Sequence, residues 1–232
     1  MTNPLLLPVV VVQGIWLRAT MKLAPPPTGP AFGVEGEGTR PPIRLAVVGE
    51  STAAGYGVDT HAEGFAGSVA RELAARSDRP VEWQTIGQFG ATARRIRHRL
   101  IPQITAKPDF VIVLAGGNDV LARRRGDEWR SELTAILEAL SEGAEQTVIS
   151  EIPRFANSPA FPSIFARFVD ERANEFNEIS RAMCADRPAT TWITCPPPTA
   201  DYFASDGLHP NQYGYSQWAE AVAGQLPIAD RS

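Results

Sequence analysis

Cysteine and histidine are scarce in this chain, with 2 and 3 respectively among 232 residues. Two cysteines, Cys184 and Cys195, are too few for a disulfide framework and lack a metal-ligand spacing, so both are expected as buried thiols. Three histidines argue against a histidine-rich metal site. An excess of basic charge is also missing. The net charge is −4, which gives no general reason to expect nucleic acid as a partner. Finally, no apolar run reaches the ~20 residues of a membrane-spanning helix. The strongest one, "PLLLPVVVVQGIWL" at 4–17, has no basic segment before it and no small-residue cleavage site after it. It reads equally as an arm packed on the domain or as an interfacial anchor at a membrane surface. The corresponding localisation is cytoplasmic, with membrane association through 4–17 and secretion left open. Oligomeric state is not legible.

What is present is enough for one medium domain, which buries roughly 70% of the surface its unfolded chain exposes. "APPPTGPAFGVEGEGTRPP", 24–42, is too rich in Pro and Gly to sustain a helix or central strand and reads as linker. Residues 1–42 are therefore expected as arm plus linker, and 43–229 as the folded domain. From Ile43 onward, β-branched apolar runs at Ile43–Val48, Val81–Ile86, Phe110–Leu114, Thr147–Ile152 and Thr190–Thr194 read as strands. Helical periodicity fills the gaps, as with Phe65, Val69 and Leu73, or Trp129, Leu133, Ile136, Leu137 and Leu140. Strands apolar on both faces that alternate with helices predict a five-stranded parallel sheet in a flavodoxin-like three-layer α/β/α fold.

Ligands of such sheets bind beyond the carboxyl ends of the strands. Three strand exits carry small or polar residues there: Gly49-Glu50-Ser51 after the first, "GQFGATA" at 87–93 after the second, and "GGND" at 116–119 after the third. A serine in that place acts as a nucleophile only with a base. His98, among arginines, reads as surface, and His61 has no evident partner. His209 has Asp206 three residues before it, a spacing that brings a carboxylate to the imidazole in a tight turn. Taken singly, each block has an ordinary reading: a helix cap for Asp206 and His209, turn chemistry for Gly90 and Gly116.

Together and in this order, the blocks resemble those of the SGNH, or GDSL-like, acylhydrolases. "GEST" at 49–52 is similar to the first block, "GQFGAT" at 87–92 to the second, "GGND" at 116–119 to the third and "DGLHP" at 206–210 to the last. The resemblance runs from about Ile43 to Leu226. It implies Ser51 as nucleophile and Asp206 and His209 as orienter and base. It also implies an oxyanion hole from the Ser51 and Gly90 N–H groups and the Asn118 side-chain amide. One departure is visible: Glu50 stands where the family usually has Asp, which bears on local hydrogen bonding rather than on the nucleophile. The Gly-x-Ser-x-Gly elbow of the α/β-hydrolase fold is absent around Ser51.

The activity implied is hydrolysis of small-molecule carboxylic esters with short to medium acyl chains through an acyl-Ser51 intermediate, and no metal or organic cofactor is implied. Carbohydrate O-deacetylation and thioester hydrolysis use the same machinery and stay open. So does a non-catalytic anion- or nucleotide-binding module built on "GESTAAGYG", although the Gly-Lys-Ser/Thr and Gly-x-Gly-x-x-Gly patterns are missing. Phe155, Phe161, Phe165 and Phe168 either line an acyl pocket or seal the core under a long loop. Tyr202 and Phe203 are further pocket candidates. The run Arg123–Arg125 reads as solvated or as a contact for an anionic headgroup.

Overall fold

The computed structural model describes residues 4–105, 107–199 and 201–228. Residues 1–3 of the expected arm and residue 229, the expected domain end, lie outside the described residues. The chain runs α1 (Leu7–Thr20), β1 (Phe32–Glu35), β2 (Ile43–Gly49), α2 (Phe65–Ser77), β3 (Val81–Gly87) and α3 (Ala93–Arg95, continuing as a π-helical turn to Leu100). It goes on through β4 (Phe110–Leu114), α4 (Gly117–Leu121), α5 (Gly126–Ser141), β5 (Gln146–Ser150), α6 (Ser163–Ala185), β6 (Thr190–Ile193) and α7 (Gln212–Ala223).

The sheet has the order β1-β3-β2-β4-β5-β6. β2 to β6 pair in parallel, as their apolar runs require, with Val47 opposite Thr85 on one side and Ile112 on the other. The sixth strand corrects the expected five: β1 pairs antiparallel with the edge of β3. Four residues flanked by Pro and Gly carry too little alternation to announce a strand. An edge position also tolerates Gly33, because the Trp83 indole lies across it; a Cβ on Gly33 would come within 2.9 Å of that ring.

Side-chain alternation divides the core. Ile43, Leu45 and Val47 of β2 face α2 and α7, where Phe65, Leu73, Tyr215 and Trp218 are buried. Ala46 and Val48 face the other way, toward α5 and α6, with Trp129, Leu133, Ile136 and Phe176. Full burial of each such side chain contributes about 1.5–3 kcal/mol, and the two clusters together clamp the sheet. This is the α/β/α sandwich that the strand-helix alternation predicts.

The localisation reading is corrected here. Among the described residues no helix is long and apolar enough to cross a membrane. The segment that reads equally as a packed arm or as an interfacial anchor forms α1 and packs on the domain, burying Val10 and Leu17. Its composition alone could not distinguish those fates, because Phe161, Ala166 and Leu208, which receive it, are distant in sequence.

Candidate active site

The three expected strand exits meet at one edge of the sheet. Gly49 ends β2 against the end of β4, where a Cβ would lie 2.1 Å from the Leu114 carbonyl oxygen; only glycine permits that approach. The Glu50 N–H then donates to the Leu114 carbonyl at 3.0 Å. The chain turns through Ser51, with the N–H of Tyr56 returning to the Ser51 carbonyl at 3.1 Å. The glycine ends the strand, and the turn that follows carries Ser51 beyond it.

His209 arrives from the loop before α7. Gly207 at φ +64° turns that loop, the His209 carbonyl accepts from Ala204 N–H at 2.8 Å, and Asn211 caps α7 by accepting from Gly214 N–H at 2.9 Å. His209 is 2% exposed. Its Nε2 lies 2.8 Å from Ser51 Oγ and its Nδ1 2.7 Å from Asp206 Oδ2. A carboxylate accepts only, so Asp206 keeps the ring proton on Nδ1 and leaves Nε2 to accept from the Ser51 hydroxyl. Burial by itself would raise the Asp206 carboxyl. Hydrogen bonds from the His209 ring and the Ala24, His209 and Leu208 N–H groups outweigh it and hold the carboxyl well below the usual carboxylate range. Tyr56 and Phe89 flank the imidazole at ring-centroid distances of 5.5 and 6.5 Å.

Gly90 lies between Phe89, whose ring meets His209, and Ala91, whose carbonyl accepts from Asn118 Nδ2 at 3.1 Å. Its φ of +71° explains why glycine is needed there. Neither the Ser51 nor the Gly90 N–H donates a hydrogen bond among the described residues. Both N–H groups of the Asn118 side-chain amide, an expected oxyanion donor, have partners within the fold. Its second N–H is taken by Glu50 Oε2 at 2.9 Å, while the Glu50 carboxyl also accepts from Gly116 N–H at 2.6 Å and Asn118 N–H at 3.2 Å. Burial pushes the Glu50 carboxyl up to about 8, with the charge of Asp119 adding and the backbone donors opposing. Asp119, raised by burial to about 6, accepts from Ala93 N–H at 2.8 Å and ties α4 to α3.

These blocks have a family. A family model described as GDSL-like Lipase/Acylhydrolase matches residues 47–217. The chain belongs to the GDSL-like lipase/acylhydrolase family. Solved structures of this fold agree. TesA superposes with a TM-score of 0.62 at 22% identity, covering 79% of this chain and 98% of its own. The Clostridium thermocellum family 3 carbohydrate esterase gives 0.59 at 15%, covering 80% and 95%. Axe2, an acetylxylan esterase from Geobacillus stearothermophilus, gives 0.57 at 17%, covering 81% and 95%. A search of curated proteins returns no match.

In this GDSL-like hydrolase a cavity of about 400 Å³ opens beside Ser51. Leu114, Leu121, Ile152, Phe155, Phe203 and Leu208 supply much of its apolar lining. The four phenylalanines divide. Phe155 reaches the cavity, whereas Phe161 is buried beside it in the third cluster, with ring centroids 5.1 Å apart. Phe165 and Phe168 pack on the core. Tyr202 also lines the cavity. Arg123–Arg125 is exposed and absent from that lining; Arg124 and Arg125 pair with Glu128 and Asp127 instead. His98 is exposed, and the His61 Nδ1 rests 3.1 Å from the Thr28 and Gly29 carbonyls. Cys184 and Cys195 are free thiols, Cys195 at the cavity wall, and burial raises both. Among the described residues no group of three His, Cys, Asp or Glu side chains stands together as a metal site.

Proposed function

We propose that this chain is a serine esterase that cleaves small carboxylic esters with short to medium acyl chains. The observation that carries the reading is the continuous relay Ser51 Oγ, His209 Nε2, His209 Nδ1, Asp206 Oδ2, with both links below 2.9 Å. In the proposed reaction His209 takes the Ser51 proton as Oγ attacks the ester carbonyl. The resulting imidazolium is stabilised by Asp206. The oxyanion is met by the Ser51 and Gly90 N–H groups, together with Asn118 once its amide turns from Glu50 to the substrate. His209 then gives its proton to the departing alcohol, and in the second half activates the water that releases the acid.

Substrate size follows from the cavity. About 400 Å³ lies at the low end of the roughly 300–1,000 Å³ typical of ligand pockets, and the lining is mainly aliphatic and aromatic. That favours a hydrocarbon acyl group. Carbohydrate O-deacetylation, the alternative beside which a carbohydrate esterase and an acetylxylan esterase stand as structural neighbours, needs the same relay but no apolar acyl slot. Hydrolysis of p-nitrophenyl acetate, butyrate and octanoate beside acetate release from acetylated xylan separates the two. Butyrate or octanoate turned over faster than acetate supports the esterase reading. Acetate release from xylan with no aryl ester turnover overturns it in favour of the deacetylase.

A further inference from the structure

Residues before Ile43 read as arm and linker in the sequence, and the family match begins only at residue 47. Yet the Ala24 N–H donates to Asp206 Oδ2 at 3.0 Å, across 182 residues of chain. The other hydrogen bonds to this carboxylate, among the described residues, come from its own loop. Leu208 N–H and His209 N–H hold Oδ1 at 2.9 and 3.0 Å, and the His209 ring meets Oδ2 at 2.7 Å. Ala24 therefore supplies the one donor from elsewhere in the fold to the oxygen that faces the imidazole. Ala24 is 8% exposed, so water has little access to replace that donor.

The segment is fastened on both sides of this contact. Upstream, Leu17 is buried with Phe161 and Ala166, and Met21 and Leu208 pack against them. Gln13 Oε1 accepts from the Phe165 N–H at 2.9 Å, in the first turn of α6. Gly14 lies so close to the Phe165 ring that a Cβ would stand 3.0 Å from it. Downstream, three prolines stiffen the path to Thr28, whose N–H donates to the Asp59 carbonyl at 2.8 Å and which bridges to Thr60.

We infer that Leu7–Thr28 is a strap across the back of the relay, in which the Ala24 N–H is a positioning group that holds Asp206 in line with His209. The inference rests on the Ser51–His209–Asp206 reading above. A backbone donor on Oδ2 fixes the rotation of the carboxylate and disperses its charge. Without it Asp206 holds the imidazole proton more strongly, and the relay in a chain lacking that donor should need a higher pH to run. Ala24 is absent from the cavity lining, so substrate binding is untouched.

The test uses the full chain as Ala24→Pro, which lacks the N–H, beside Ala24→Gly, which keeps it. For Ala24→Pro we expect kcat about tenfold lower, KM within about twofold of the parent, and the acid limb of the pH profile moved upward. Ala24→Gly should match the parent in kcat and in the limb. Parent-like kcat and acid limb in Ala24→Pro, or an equal loss in Ala24→Gly, overturns the inference. If Ala24→Pro loses its cooperative melt, Leu17→Ala takes its place: undocking the strap should lower kcat and shift the same limb, and parent-like kinetics there overturns it. Turnover surviving in Ser51→Ala would instead remove the relay reading on which the strap depends.

Discussion

Glu50 makes the sharpest prediction, because it holds the Asn118 amide that the proposed reaction turns toward the oxyanion. Its carboxyl is raised to about 8 by burial, so it is mostly neutral at pH 7 and an anion above pH 8. Asn118 Nδ2 sits 2.9 Å from it. An oxyanion that takes up the Asn118 amide would lie two hydrogen-bond lengths, about 6 Å, from the carboxylate; at an effective dielectric of ~20 the repulsion is about 3 kcal/mol. That corresponds to a ten- to hundredfold fall in kcat/KM between about pH 7 and pH 9.5, once solvent relaxation is allowed for. The groups around Glu50 include Asp119 on α4, Glu151 and Arg154 beyond β5, and Cys195, Tyr202 and His209 across the cavity. Of these, Asp119 at about 6 and Cys195 at about 12 titrate outside the window, and burial also drives Tyr202 above it.

Glu50→Gln should abolish the alkaline fall while leaving the acid limb in place. The assay is kcat/KM for p-nitrophenyl butyrate against pH, with spontaneous hydrolysis subtracted. Stability supplies a second readout. The folded chain binds a proton at Glu50 that the unfolded chain has released between about 4.5 and 8, so this site's contribution declines as pH rises through that window. Glu50→Gln removes that decline. A profile flat to pH 9.5, or an alkaline fall that survives in Glu50→Gln, would refute the reasoning.

Other expected outcomes are as follows. Asn118→Ala should lower kcat by about a hundred- to a thousandfold with little change in KM, as loss of one oxyanion donor does. Gly57→Ala places a Cβ 2.2 Å from the Pro210 carbonyl oxygen and 3.1 Å from His209 Cβ, at φ +100°. It should cut kcat more than tenfold and lower the melting temperature by several degrees, on the order of 2 kcal/mol of backbone strain. Phe155→Ala deepens the cavity and should raise the octanoate-to-acetate ratio of kcat/KM about threefold or more, read from the p-nitrophenyl series.

Much of this was legible in the chain because the site is built at strand exits. Ser51, Gly90, Asn118, Asp206 and His209 were each marked by a local motif, and the strand-helix alternation told which edge of the sheet they share. What escaped were contacts whose partners are remote in sequence. No local pattern ties Ala24 to Asp206 or Glu50 to the Asn118 amide; both are made only when the layers close. β1 escaped for a different reason, since its stability comes from pairing with β3 and from the Trp83 ring over Gly33, not from its own alternation. The N-terminal apolar run illustrates another case, where a visible pattern fits a packed arm and a membrane-surface anchor equally and tertiary packing decides for the arm.

The most direct test of the account is covalent labelling of the purified protein with a fluorophosphonate, read by intact mass and peptide mapping, beside Ser51→Ala. The account predicts a single adduct on Ser51. It also predicts that Ser51→Ala takes up no label, hydrolyses no p-nitrophenyl butyrate and melts at the parent temperature. An adduct on another residue, or turnover retained in folded Ser51→Ala, would contradict it.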